Sequence, residues 1–124
     1  MLGNTDAIVT LAVKDLDVAR EFYEGTLGLK PVDSDEPEML MYKSGNTPVM
    51  VYRSQYAGTN QATAATWVVD DVDGIVQLLK DKGVAFERYD LPETTHEGDV
   101  HVAGNIRVAW FKDPDGNILS LVNR

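Results

Sequence analysis

Cysteine is absent from the 124-residue chain, which excludes a disulfide framework and any thiolate metal site. Positive charge is scarce: 11 Lys and Arg stand against 20 Asp and Glu, for a net charge of -9. A polyanion of this kind gains little from phosphate backbones, so nucleic acid is not an expected partner. The sign would draw in a cationic small molecule, although its first use is solubility. Long apolar runs are missing, and nothing approaches the roughly 20 residues of a membrane span. The opening "MLGNTDAIVT" has neither a basic stretch nor an apolar leader core. A cytoplasmic chain with no membrane partner is expected. No G-x-S-x-G elbow and no phosphate-binding loop occurs.

What the chain does have is self-similarity. "TLAVKDLD" (Thr10 to Asp17) matches "TWVVDDVD" (Thr66 to Asp73) at an offset of 56. Each stretch precedes a helical pattern: Val18, Ala19, Phe22 and Tyr23 in the first, Val72, Ile75, Val76 and Leu79 in the second. Asp15 or Asp17, and Asp71 or Asp73, suit the N-cap. Gly28 and Gly83 suit the C-terminal stop. "MYKSGNTPVMVYR" then matches "WFKDPDGNILSLV" at an offset of 69, both as strand, turn and strand. The chain therefore reads as α+β, a single domain over 1–124 built from two βαβββ modules at 1–56 and 62–124. A polar linker, Arg53 to Thr63, joins them. Modules this small bury little alone, so curved mixed sheets pairing to form a cleft are expected.

"VTLAVKDLDVAREFYEGTLGLKPV" resembles the opening of the vicinal oxygen chelate superfamily, and "FKDPDGNILSLV" resembles its closing hairpin. That superfamily includes glyoxalase I, fosfomycin-resistance enzymes, extradiol dioxygenases and bleomycin-resistance proteins. The resemblance covers nearly the whole chain and implies the fold, which hosts many chemistries. Its enzymes usually hold a divalent metal through His, Glu or Gln at four strand positions. Those positions correspond here to Ile8, Ala64, Ser120 and, through the offset of 69, Val51. An aliphatic set with one neutral hydroxyl is a poor ligand set for such metals, so no metal and no cofactor are expected. A register shifted by one residue would instead turn Ser120 toward the helix.

Alternation along the strands places Ile8, Thr10, Val51, Arg53, Ala64, Thr66 and Ser120 on the cleft wall. Trp110, placed on the cleft, is a candidate for a stacking wall, as are Phe111, Tyr42 and Tyr52, although for any one of them core packing is the first expectation. His96 and His101 lie with Glu93, Glu97 and Asp99 in a turn-rich stretch, expected as a loop over the cleft mouth. Their spacing matches no ligand motif. His101 is the best candidate for acid–base chemistry, because an unperturbed imidazole titrates near neutrality. The leading expectation is a metal-independent protein that binds a small, partly apolar molecule. The alternatives are a metal-dependent lyase, isomerase or dioxygenase, and a metal-free enzyme using His101, Arg53 or a tyrosine. A homodimer is expected, with modules paired within or between chains.

Overall fold

The computed structural model describes residues 1–34 and 36–123. The chain divides into two compact units, Met1–Thr59 and Asn60–Arg124. No helix among the described residues is long and apolar enough to cross a membrane.

In the first unit, β1 (Val9–Val13) leads into α1 (Leu16–Arg20). The Asp15 carboxylate caps α1 by accepting from the Asp17 and Val18 N–H groups. The helix continues as one π-helical stretch, Glu21–Thr26. Strands β2 (Lys30–Val32), β3 (Met39–Ser44) and β4 (Thr47–Arg53) complete a sheet of order β1-β4-β3-β2. β1 and β4 are parallel, and the other pairs are antiparallel. Ala19 and Tyr23 of the helix are buried, as are Leu11, Val13, Tyr42, Val49 and Val51 of the sheet. The Tyr23 and Tyr42 rings stack at 6.4 Å, which identifies the helix-covered side of the sheet. Val18 is exposed, contrary to the helical pattern, because the π-helical widening begins just beyond it.

The second unit repeats the plan. β5 (Thr63–Val68) precedes α2 (Val72–Asp81), capped by Asp71 through the Gly74 N–H. β6 (Phe86–Glu87), β7 (Thr95–Glu97), β8 (Val100–Ala103), β9 (Ile106–Lys112) and β10 (Ile118–Val122) follow. The sheet order is β5-β10-β9-β8-β7, with β6 also on β9 and β5 parallel to β10. Val72, Val76 and Leu79 are buried, as are Ala109, Phe111, Leu119 and Leu121 of the sheet. Arg107 on β9 binds both carboxylate oxygens of Asp73 at 2.9 Å and Glu97 at 3.1 Å, tying α2 and the β7–β8 hairpin to β9. The stretch expected as a loop is thus partly an ordered hairpin.

The closing turn is knit by one buried side chain. Asp113 accepts from the N–H groups of Asp115 and Asn117 and from the Asn117 side-chain amide. Burying a carboxylate requires such donors, and three are supplied locally.

Candidate functional site

Each sheet has a side opposite its helix, and strand register decides which residues reach it. In the second unit, Ser120 pairs with Thr66 on β5 and with Trp110 on β9. Paired residues share a side, so the three stand together, away from Leu119 and Leu121. The Ser120 and Thr66 hydroxyls lie 2.7 Å apart. Ser120 is buried and Thr66 is exposed. The Trp110 indole N–H donates to the Thr63 hydroxyl at 3.1 Å, which fixes the ring beside that pair.

A row of rings extends from Trp110. His101 meets it edge-on at 4.8 Å, Tyr89 at 5.2 Å, and His96 meets His101 at 4.6 Å. His96 and His101 are directly paired across the β7–β8 hairpin. Only 2% of His101 is exposed. Burial, then the neighbouring His96, hold its pKa below the ordinary value. Its Nε2 accepts from the Tyr89 N–H at 2.9 Å, so the neutral ring carries its proton on Nδ1. That Nδ1 has no hydrogen-bond partner among the described residues. The nearby carboxylates are occupied elsewhere: Asp99 by Lys80 at 2.7 Å, Glu97 by Arg107.

In the first unit the side opposite α1 carries Thr10, paired with Met50, which is paired in turn with Met41, and Met41 with Val32. Tyr52 and Met39 form the adjoining row. Three of the chain's four methionines therefore lie on one half-exposed surface, adaptable in shape and apolar in character.

Two expected wall residues are misplaced by the sequence pattern. Val51 pairs with Leu11 and is fully buried on the helix side. Arg53 pairs with Val13 and reaches Glu38 at 3.6 Å. The cause is turn length. Met41 and Met50, nine positions apart, are paired, whereas Trp110 and Ser120 are paired ten apart. Between the corresponding pairs Lys43–Pro48 and Lys112–Ile118 the first hairpin has four residues and the second five, so the partner of Ser120 by symmetry is Met50, and one residue of slip reverses facing. Thr10, Thr66, Trp110 and Ser120 lie on the sides opposite the helices. Ile8 is exposed just before β1, and Ala64 is the extra residue of a bulge, where alternation breaks. Of the four stacking candidates, Phe111 and Tyr42 are core, as first expected of them. The sequence pattern missed Met50, Met41, Met39 and Tyr89; unequal hairpin turns were the available signal for the first.

A concavity of about 310 Å³ opens beside α1, lined by Leu16, Arg20, Glu24, Pro31, Glu36 and Tyr42 among others. The Tyr42 hydroxyl donates to Glu24 at 2.8 Å, and burial followed by that carboxylate pushes its pKa well above the ordinary tyrosine value.

The model of the Glyoxalase/Bleomycin resistance protein/Dioxygenase superfamily matches residues 7–121, and the chain belongs to that superfamily. No curated protein matches it. Among solved structures it is similar to TnmS3, an antibiotic binding protein from Streptomyces sp. CB03234, at 24% identity and TM-score 0.65, covering 97% of each chain. It is also similar to the fosfomycin resistance protein FosX from Listeria monocytogenes, at 16% identity and TM-score 0.72, covering 95% of this chain and 91% of that one. Lactoylglutathione lyase from Agrobacterium tumefaciens is similar at 16% identity and TM-score 0.68, with 96% and 93% covered. At these identities the likeness shows the fold.

The residues at the positions where the resemblance would place metal ligands are poor in ligating groups. With Met50 in place of Val51, the four positions hold Ile8, Met50, Ala64 and Ser120, and the one hydroxyl already bonds Thr66. Among the described residues no three His, Asp or Glu side chains converge as a metal site.

Proposed function

We propose that this chain binds a small, partly apolar molecule on the helix-free side of its second sheet, without a resident metal. The observation that carries the reading is the Thr66–Ser120 hydroxyl pair beside Trp110. Neutral hydroxyls flanked by an aromatic wall orient an uncharged ligand; they do not hold a divalent cation. Tyr89 and the edge-on rings extend the apolar surface, and Thr10 with the methionines offers a second one in the first unit. TnmS3 provides a precedent for antibiotic binding on this fold.

The alternative is a metal-dependent lyase, isomerase or dioxygenase, which rests on family precedent. A metal-free reaction would rest on His101. The Nε2 lone pair of that ring is committed to the Tyr89 N–H, which suits it to donating from Nδ1 more than to abstracting a proton. A cytoplasmic homodimer completes the reading.

Elemental analysis of chelator-free protein is expected to find no stoichiometric Zn, Ni, Fe or Mn; one equivalent would overturn the reading. A panel of partly apolar antibiotics, cationic glycopeptides included, is expected to contain a member that raises the melting temperature. A ligand at about 100 times its Kd stabilises by about 2.7 kcal/mol. Turnover of a bound compound would favour the enzyme alternative.

A further inference from the structure

Both histidines hold the same peptide. The Tyr89 N–H donates to His101 Nε2 at 2.9 Å, and the Tyr89 carbonyl accepts from His96 Nε2 at 3.0 Å. We propose that His96 and His101 form an acid-released clamp on Tyr89 that keeps segment 88–94 docked against Trp110 at neutral pH. The clamp belongs to the free chain and is independent of what the chain binds.

The backbone partners fix the roles. An N–H only donates, so His101 Nε2 must carry a lone pair. A carbonyl only accepts, so His96 Nε2 must carry a proton. The two neutral rings are therefore opposite tautomers. Their responses to acid differ as well. A second proton on His96 enters at Nδ1 and leaves its bond to Tyr89 intact. A second proton on His101 enters at Nε2, points at the Tyr89 N–H and breaks the bond. Acid sensitivity thus resides in His101.

The surroundings oppose that charge. His96 faces His101 from β7, and Val108 and Trp110 face it from β9 without charge. Arg88, in the clamped segment, adds positive potential, and Tyr89 contributes a neutral ring. Glu87 of β6, on the Trp110 side, is paired with Lys112 at 3.2 Å. On β10, Val122 and Ser120 are uncharged. The buried ring therefore titrates below its ordinary 6.5. An unfolded chain takes up this proton at higher pH than the folded one. The clamp is whole above about pH 6.5 and is lost as pH falls toward the folded pKa. Segment 88–94 also holds Glu93 at φ 56°, the one positive φ outside glycine among the described residues, a conformation that needs support from its surroundings.

Long-range ¹H–¹⁵N NMR of the imidazoles tests the tautomers, and amide exchange tests the release. At about pH 7.5, His101 is expected as the Nδ1–H form and His96 as the Nε2–H form; like tautomers would overturn the clamp. The protection factor of the Tyr89 amide is expected to hold steady above about pH 6.5 and to fall severalfold as the pH is lowered through the His101 titration followed in the same sample. Unchanged protection would overturn it too. His101→Gln supplies a non-titrating acceptor and is expected to flatten the Tyr89 response, whereas His96→Gln is expected to retain it. The same response in His101→Gln as in the parent would remove His101 from the role.

Discussion

Ser120 sits where the closing strand passes between Thr66 and Trp110, and its hydroxyl has one close partner at 2.7 Å. Replacing it with Ala removes that bond but leaves Thr66 exposed to water, so the expected cost is only about 1 kcal/mol in urea unfolding. Ligand affinity should fall by more than this loss of stability would imply. Asp113 is a different case, because three donors converge on its buried carboxylate. Asp113→Ala would strand them and is expected to cost about 3 kcal/mol, read by the same unfolding curves. Both side chains lie in the closing hairpin that the resemblance singled out. The partners did not stand out. That Ser120 meets Thr66, or that both histidines reach Tyr89, depends on contacts between residues 54, 12 and 7 positions apart.

The elements were legible because their signals are local. Capping aspartates, helical apolar spacing and terminal glycines all act within a few residues. Gly83 adopts φ 94° after α2, and an added Cβ there would meet nothing within 4 Å. Gly83→Ala is therefore a purely conformational test, expected to cost about 1 kcal/mol in thermal or urea unfolding. Facing was less legible. It depends on parity along a strand, and one residue fewer between corresponding pairs of the β3–β4 hairpin was enough to put Val51 and Arg53 on the wrong side in the sequence reading. The β7 strand was also hidden, since three residues of strand beside turn formers give little alternation to count. Its anchor is Arg107. Arg107→Met should loosen amide protection in Thr95–Glu97 while changing global stability little, as for a part-exposed ion-pair network.

For the molecule as a whole, the repeat announced the fold: two copies of one plan, each with a helix on one side of a mixed sheet. Composition determines a further property. With a net charge of -9, like charges repel at low ionic strength, and salt screens them over about 8–10 Å. The melting temperature is expected to rise between very low salt and about 0.15 M NaCl, measured by calorimetry. A fall would mean that the ion pairs at Arg107 and Lys80 outweigh the repulsion. Sedimentation equilibrium distinguishes the proposed homodimer from a monomer of 13.7 kDa.

The unequal hairpins carry a lesson about tolerance to insertion and deletion. Because Met50 and Ser120 keep corresponding neighbours despite different counts, the tip of a hairpin acts as slack that the ladder beneath does not feel. One residue added between Gly45 and Asn46 should shift every later number and move no wall side chain, whereas the same addition within β4 would turn the strand inside out.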